Sequence, residues 1–370
     1  MYKADNTDPV KKEFIDKLEL NLSDHLPAEI GDNATMSISE IVKNNDQKLL
    51  ALSIREKDID ISPNIYLDGY IEQYREGRDI DDILQSIADM YMECRAPQIK
   101  GFDISDITQY DRVADKIVTK IVNTDLNKEF LAVVPHKEFG DLSVFPQIRL
   151  DECNDMMASI TIRDDILERW NVSLDEVLDK ANENDLKLTE PKLVPMDRII
   201  DSMRKTYEID QKGFLPEDDD RIIPMYVLST SDKINGAKLL NQQEIMDKIA
   251  EYMGSDFIAL PSSIHEAIII PMDKNSMDLN ELSMMVKSIN GEVLTPTDVL
   301  SDHPYVYSKE ERCLFFEKDG EQVKMQFTKQ TKTKEKSRGV KDRLKEATQK
   351  SKEQVSHKEH RTKDRSMSLG

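Results

Sequence analysis

In Leu260-Pro261-Ser262-Ser263-Ile264-His265-Glu266, two hydroxyls, an imidazole and a carboxylate fall within five consecutive positions. Such groups could make a hydrolase, with a serine as nucleophile and a histidine as its base. The base must then sit ~2.6–3.2 Å from the hydroxyl and be oriented by a third group. Residues two or three apart on an extended chain do not readily converge in that way. Ser262 or Ser263 would need His136 or His303 from elsewhere, or His265 working with Glu266. The plainer reading is a turn, Pro261-Ser262-Ser263, whose hydroxyls bond neighbouring backbone.

His265-Glu266 also opens like a zinc HExxH motif, which places two histidines one helical turn apart. Ile269 stands where the second histidine belongs, and Ile264–Pro271 reads as a strand, so no metal site is expected there. The second candidate constellation is His136 with Asp141, between two apolar runs, where an imidazole beside a carboxylate would titrate near neutrality. The run Glu217-Asp218-Asp219-Asp220 reads as a solvated acidic loop, and Trp170, after Ile166 and Leu167, as a core anchor.

Other chemistries are absent from the pattern. The 12 glycines are scattered, with no two within two positions of each other, so GxGxxG, GxxxxGK[ST] and GxSxG are all missing. No cofactor is therefore expected. The longest apolar run is five residues, Phe130 to Val134, against the ~20 that span a bilayer. Three cysteines, Cys94, Cys153 and Cys313, lie far apart without CxxC spacing, and the first residues lack an apolar export segment. A reducing cytoplasm is the expected compartment.

Charge divides the chain. Residues 329–370 carry 14 Lys/Arg and 6 Asp/Glu, leaving 37 basic and 66 acidic residues for 1–328, within an overall net charge of −21. The tail has no aromatic residue, and its few apolar ones cannot offset chain entropy, so it is expected to be disordered. Its cations allow weak, non-specific contact with nucleic acid.

The elements that must position the candidates mix both periodicities. Asp8 caps and Pro9 opens a helix with Phe14, Ile15, Leu18 and Leu22 on one stripe. Leu50, Leu52 and Ile54 alternate as a strand; Ile80, Ile83, Leu84, Ile87, Ala88 and Tyr91 form the strongest helical stripe. A further helix is expected over roughly Tyr110 to Val122, and strands at Phe130–Val134, Leu142–Leu150, Ile222–Leu228, Phe257–Leu260 and Ala267–Ile270. Ser173 with Glu176, and Asn241 with Glu244, resemble capping boxes. Leu279–Ile289 reads as a helix, Thr295–Asp298 as the opening of a short one, and Tyr305–Phe316 as a hairpin. Irregular alternation without ~30-residue βαβ spacing predicts an α+β protein of mixed helices and mostly antiparallel strands. The expected division is an N-terminal lobe over 1–125, a C-terminal lobe over 126–328 and the basic tail.

Ile61-Ser62-Pro63-Asn64-Ile65-Tyr66-Leu67 and Leu260–Glu266 carry a resemblance, as do Val134–Leu142, Met225–Leu228 and Val299–Asp302 with Tyr305 and Tyr307. Over roughly residues 25 to 316 the chain resembles a bacterial family of unknown function, typical of anaerobic gut bacteria. Gly140 stands where a larger apolar residue is expected. The resemblance carries no activity. With no motif assembled, the leading expectation is a non-catalytic binding protein with a protein partner. The alternatives are a hydrolase using His265 with Glu266 or His136 with Asp141, and a nucleic-acid accessory factor acting through the tail.

Overall fold

A computed structural model describes residues 8–57, 62–95, 104–153, 156–205, 211, 213–216, 225–272 and 278–327. The tail, Glu217–Asp220, Ile59, Ile61 and Ile222 lie outside the described residues. The described chain is α+β, with three antiparallel sheets.

The first sheet is β1 (Thr35–Val42), β2 (Lys48–Arg55) and β3 (Asn64–Tyr66), in that order. Its inner face meets α1 (Pro9–His25) and α4 (Ile80–Cys94). Asp8 accepts from the Lys11 amide and Pro9 begins α1, so the helix starts where its cap and proline dictate. Phe14, Leu18 and Leu22 of α1 and Ile83, Leu84 and Ile87 of α4 are sealed against Leu50, Leu52 and Ile54 of β2.

The second sheet centres on β6 (Leu142–Cys153), flanked by β4 (Ile117–Asn123), β5 (Lys137–Phe139) and β7 (Met156–Thr161). Helix α8 (Leu174–Leu188) covers it, capped by Ser173, whose hydroxyl accepts from the Glu176 amide. The third sheet has seven strands, running β14 (Glu321–Met325), β13 (Cys313–Lys318), β12 (Tyr305–Ser308), β10 (Phe257–Pro261), β11 (Ala267–Pro271), β9 (Tyr226–Thr230) and β8 (Pro191–Pro195). The largest core joins Phe139, Leu142 and Val144 of the second sheet to Tyr226, Phe257, Tyr305 and Leu314 of the third, under α10 (Gln243–Met253).

Four local expectations are corrected. Tyr110–Val122 is not one helix: α5 (Tyr110–Val113) is a single turn and β4 follows, because Ile117, Val118, Ile121 and Val122 are buried on both faces of a strand. A strand buried on both sides loses its alternation, and its apolar spacing then imitates a helix. Phe130–Val134 is not a strand but overlaps the short helix α6 (Lys128–Leu131). The Asp46 carboxylate, more than 80 residues away, accepts the Glu129 and Phe130 amides at 2.8 and 2.9 Å and fixes that helical start. Asn241 is not at the cap position: it is buried in the 3₁₀ turn Gly236–Asn241, and Gln242 precedes the first residue of α10. Thr295–Asp298 closes as a turn, with the Asp298 amide bonded to the Thr295 carbonyl.

Gly140 is required where it stands. Its φ is +66°, in the turn from β5 to β6, and a Cβ there would meet Met325 Cγ at 2.7 Å. A larger residue would clash with the last strand of the third sheet.

Candidate functional site

The loop between β10 and β11 holds Ser262, Ser263, His265 and Glu266 in a closed local network. Ser262 Oγ donates to Glu266 Oε1 at 3.3 Å, and the His265 amide donates to Ser263 Oγ at 3.0 Å. The His265 carbonyl accepts from the Gly236 amide and from Ser229 Oγ. A Cβ at residue 236 would lie 2.5 Å from that carbonyl, so glycine permits the approach. The Asn235 amide donates to His265 Nδ1 at 3.2 Å. A backbone N–H only donates, so Nδ1 is the unprotonated nitrogen and Nε2 carries the proton. Nε2 faces Asp298 Oδ1 at 3.7 Å, too long for a direct hydrogen bond. Neither serine hydroxyl meets the imidazole nitrogens, so the chain does not assemble a serine nucleophile with His265 as its base.

Asp298 is brought there by the turn at Asn44-Asn45-Asp46. Asn45 Nδ2 donates to the carbonyls of Pro296 and Val299, both at 2.8 Å, and Asn44 Nδ2 to that of Thr297 at 2.7 Å. Asn45 and Asn127 are both buried; the Asn45 backbone N–H donates to Asn127 Oδ1 and Asn127 Nδ2 donates to Asn45 Oδ1, which ties the first sheet to the second. Asn45 and Asp46 both take positive φ, a conformation their short polar side chains tolerate.

Lys120, in the middle of β4, enters the same neighbourhood. Burial, the charge of Lys43 and, against them, the carboxylate of Asp298 set its amine at about 8, below the usual lysine value. The Lys43 ammonium lies 4.6 Å from the centre of the Tyr66 ring. Thr119 faces the other way: its amide and hydroxyl both donate to Asp185, which also receives Lys238 Nζ at 2.7 Å. Asp185 and Lys238 are 0% and 2% exposed and form a sealed ion pair behind the strand.

His136 and Asp141 are not a pair. His136 Nδ1 lies 2.7 Å from the Val134 carbonyl, whereas the Asp141 carboxylate takes His303 Nε2 at 2.9 Å and the Tyr305 hydroxyl at 3.1 Å. Asp141 leaves the turn after β5 toward the third sheet, so its partners are 162 and 164 residues on and not five residues back. His303 Nδ1 lies 3.2 Å from the Pro304 carbonyl, and Phe316 stacks on the ring at 5.0 Å. Burial alone would lower the His303 value, but the Asp141 bond and charge, the Pro304 carbonyl and Asp302 outweigh it and raise it. Both ring nitrogens face atoms that can only accept, an arrangement that favours the doubly protonated imidazolium.

His303 stands in the wall of a cleft of about 610 Å³ between α11 (Leu279–Glu292) and strands β12 to β14. The charged groups lining it are Lys287, Asp302, Glu317 and Asp319 beside the imidazolium, with Phe315 and Phe316 as its aromatic side. A smaller cleft of about 270 Å³ shares Asp302, His303, Phe316 and Glu317 and is closed by Asp141 and Lys318.

Lys120, Asp298 and Tyr305 carry none of the motif spacings. The one signal for Lys120 was a lone cation inside an apolar run, Ile117 to Val122, since lysine is seldom buried unless paired. Among the described residues no helix is long and apolar enough to cross a membrane, and no group of three or more His, Cys, Asp or Glu is placed to hold a metal ion.

One family model, described as a family of unknown function (DUF5688), matches residues 11–309. No curated protein and no solved structure matches the chain.

Proposed function

The chain belongs to that family of unknown function, and we propose from its own geometry that it is a non-catalytic binding protein whose recognition site is the cleft between α11 and β12–β14. The observation that carries this reading is the commitment of both His303 nitrogens, one to Asp141 and one to Pro304. A general base needs a free lone pair within reach of the proton it takes. The imidazolium has none. His265 spends its lone pair on the Asn235 amide and has none to offer either.

The cleft favours a small cationic ligand. Asp302, Glu317 and Asp319 face Lys287 alone, because the charge of His303 is already matched by Asp141. Phe315 and Phe316 add the apolar surface that ligand clefts use to gain contact area. A polyamine or an arginine-like side chain of a protein partner fits this lining.

Two measurements test the reading on the full chain. Spermidine titrated by calorimetry is expected to bind saturably, and Glu317→Gln with Asp319→Asn to weaken it at least fivefold. Wild type and His303→Gln are expected to show the same background rate on p-nitrophenyl acetate and p-nitrophenyl phosphate. Turnover by the wild type that disappears in His303→Gln would overturn the non-catalytic reading.

A further inference from the structure

We propose that the open edge of β1 is a self-association site, where β1 pairs antiparallel with β1 of a second copy of the chain about a two-fold axis at Ile38. The site lies on the first sheet and involves neither cleft.

The backbone shows which groups of β1 are left over. In an antiparallel pair, alternate residues turn both N–H and C=O toward the same neighbour. The Leu50 carbonyl of β2 accepts from the Leu67 amide, so Leu50 faces β3, while the Lys43 amide donates to the Gln47 carbonyl across the turn from β1 to β2. Glu40 lies opposite Leu50 and Ile41 opposite Leu49. The odd-numbered residues Thr35, Ser37, Ser39 and Ile41 therefore bond β2, and Met36, Ile38, Glu40 and Val42 send their backbone groups to the open side. Among the described residues no strand pairs with that side, and neither backbone nor side chain bonds it.

Other edges of the fold are guarded. Strand β8 is bounded by Pro191 and Pro195; its Leu193 amide bonds the Phe214 carbonyl, and Gln211 bonds the Leu193 carbonyl. The outer side of β4 gives the Thr119 amide to Asp185 and takes Asn184 on the Ile117 carbonyl. Strand β14 carries Glu321 and Lys324. Lysine, proline, a bulge or a covering segment keeps a sheet edge from pairing with another chain. The eight residues of β1, Thr-Met-Ser-Ile-Ser-Glu-Ile-Val, have none of these and run in unbroken register with β2. Unpaired ladder groups on an extended strand accept one kind of ligand, another extended strand.

Self-complementarity selects a second copy as that strand. A two-fold axis makes every contact reciprocal. Centred on Ile38, it sets Ile38 against Ile38, Met36 against Glu40 and Ser37 against Ser39 of the second copy, so the only charged side chain of β1 never meets its like. Centred on Glu40, it would oppose two carboxylates, which is destabilising. Met36 and Ile38 are only partly buried against the first core and gain cover from the added strand. The exposed Ser37 and Ser39 fall at the closer, non-hydrogen-bonded positions, where their hydroxyls bond across the seam. A contact of one strand per chain sits at the small end of specific interfaces, ~1,200 Å² or less in total, so the dimer is reversible and concentration-dependent.

Sedimentation velocity of the full chain, from micromolar to near-millimolar concentration, is expected to show a monomer–dimer equilibrium. Residue-resolved amide exchange identifies the surface. The Met36, Ile38 and Glu40 amides should slow as concentration rises, while those of Ser37 and Ser39, already bonded to β2, should not change. Ser37→Lys/Ser39→Lys puts like charges opposite each other twice along the seam and should weaken the dimer about fivefold. Ser37→Lys/Ser39→Glu puts opposite charges at the same positions and should strengthen it about as much. Urea unfolding of both variants at low concentration checks that they remain folded. A chain that stays monomeric throughout would overturn the proposal, as would a dimer whose Met36, Ile38 and Glu40 amides exchange at the monomer's rates. Equal effects of the two charge variants would overturn the centring on Ile38. None of these readouts involves spermidine or His303, so failure here and failure of the cleft reading are separate results.

Discussion

Replacing Asp185 by Asn tests whether the ion pair behind β4 holds the candidate residues in place. The carboxylate is fully buried and receives three donors: Lys238 Nζ, the Thr119 amide and the Thr119 hydroxyl. Asparagine keeps one acceptor oxygen but turns the other position into a donor, set against a donor already there. It also leaves the Lys238 ammonium, 2% exposed, without counter-charge. Breaking a buried pair from one side costs ~3–5 kcal/mol, because the remaining charge is uncompensated. Lys238→Met leaves the buried carboxylate with Thr119 alone and is expected in the same range. The double variant Asp185→Asn/Lys238→Met removes both charges and should recover much of the loss, giving a coupling energy of ~2 kcal/mol or more in a double-mutant cycle. The assay is urea unfolding followed by two probes, near-UV circular dichroism and Trp170 fluorescence, since coincident transitions are needed before a single free energy is used. If Asp185→Asn costs less than ~1 kcal/mol, or the two single losses simply add, the pair is not sealed as described.

Gly140→Ala must relieve both a positive φ and a 2.7 Å approach to Met325, so a loss of ~1–3 kcal/mol is expected in the same unfolding assay; pairing it with Met325→Ala should restore part of the difference. Tyr305→Phe removes one donor from Asp141 while His303 remains, and a loss of ~1–2 kcal/mol is expected. His303 has its value raised on folding. Its contribution is therefore complete below the unfolded value of ~6.5 and is lost as pH rises through the folded value. Wild-type thermal stability should carry a declining component above pH ~6.5 that His303→Gln lacks; parallel curves for the two proteins would contradict the imidazolium assignment.

What could be read in advance follows from how local the cause is. The α1 start at Asp8-Pro9 and the α8 start at Ser173 lie within one turn of the residues that specify them, and both are found. The β2 alternation and the α4 stripe each bury one face, so their periodicity survives in the sequence. Strand β4 escaped because both of its faces are covered, and α6 because its first amides are held by Asp46 from another part of the chain. Short elements such as β8 and β14 take their form from ladder partners, Thr230 to Tyr226 and Lys318 to Leu314, and not from their own composition. The site follows the same rule. Ser262 to Glu266 interact with one another across four residues, so the sequence exposed them as a cluster, and that closeness is also why they satisfy each other and leave little chemistry over. Asp141 with His303 is assembled by packing of the second sheet against the third, across 162 residues, and no spacing encodes it. Groups that meet only because the whole fold brings them together, such as His303 and Phe316, form the shared wall between the two clefts. In this chain the functional candidates are accordingly the long-range clusters and not the motif that drew the eye first.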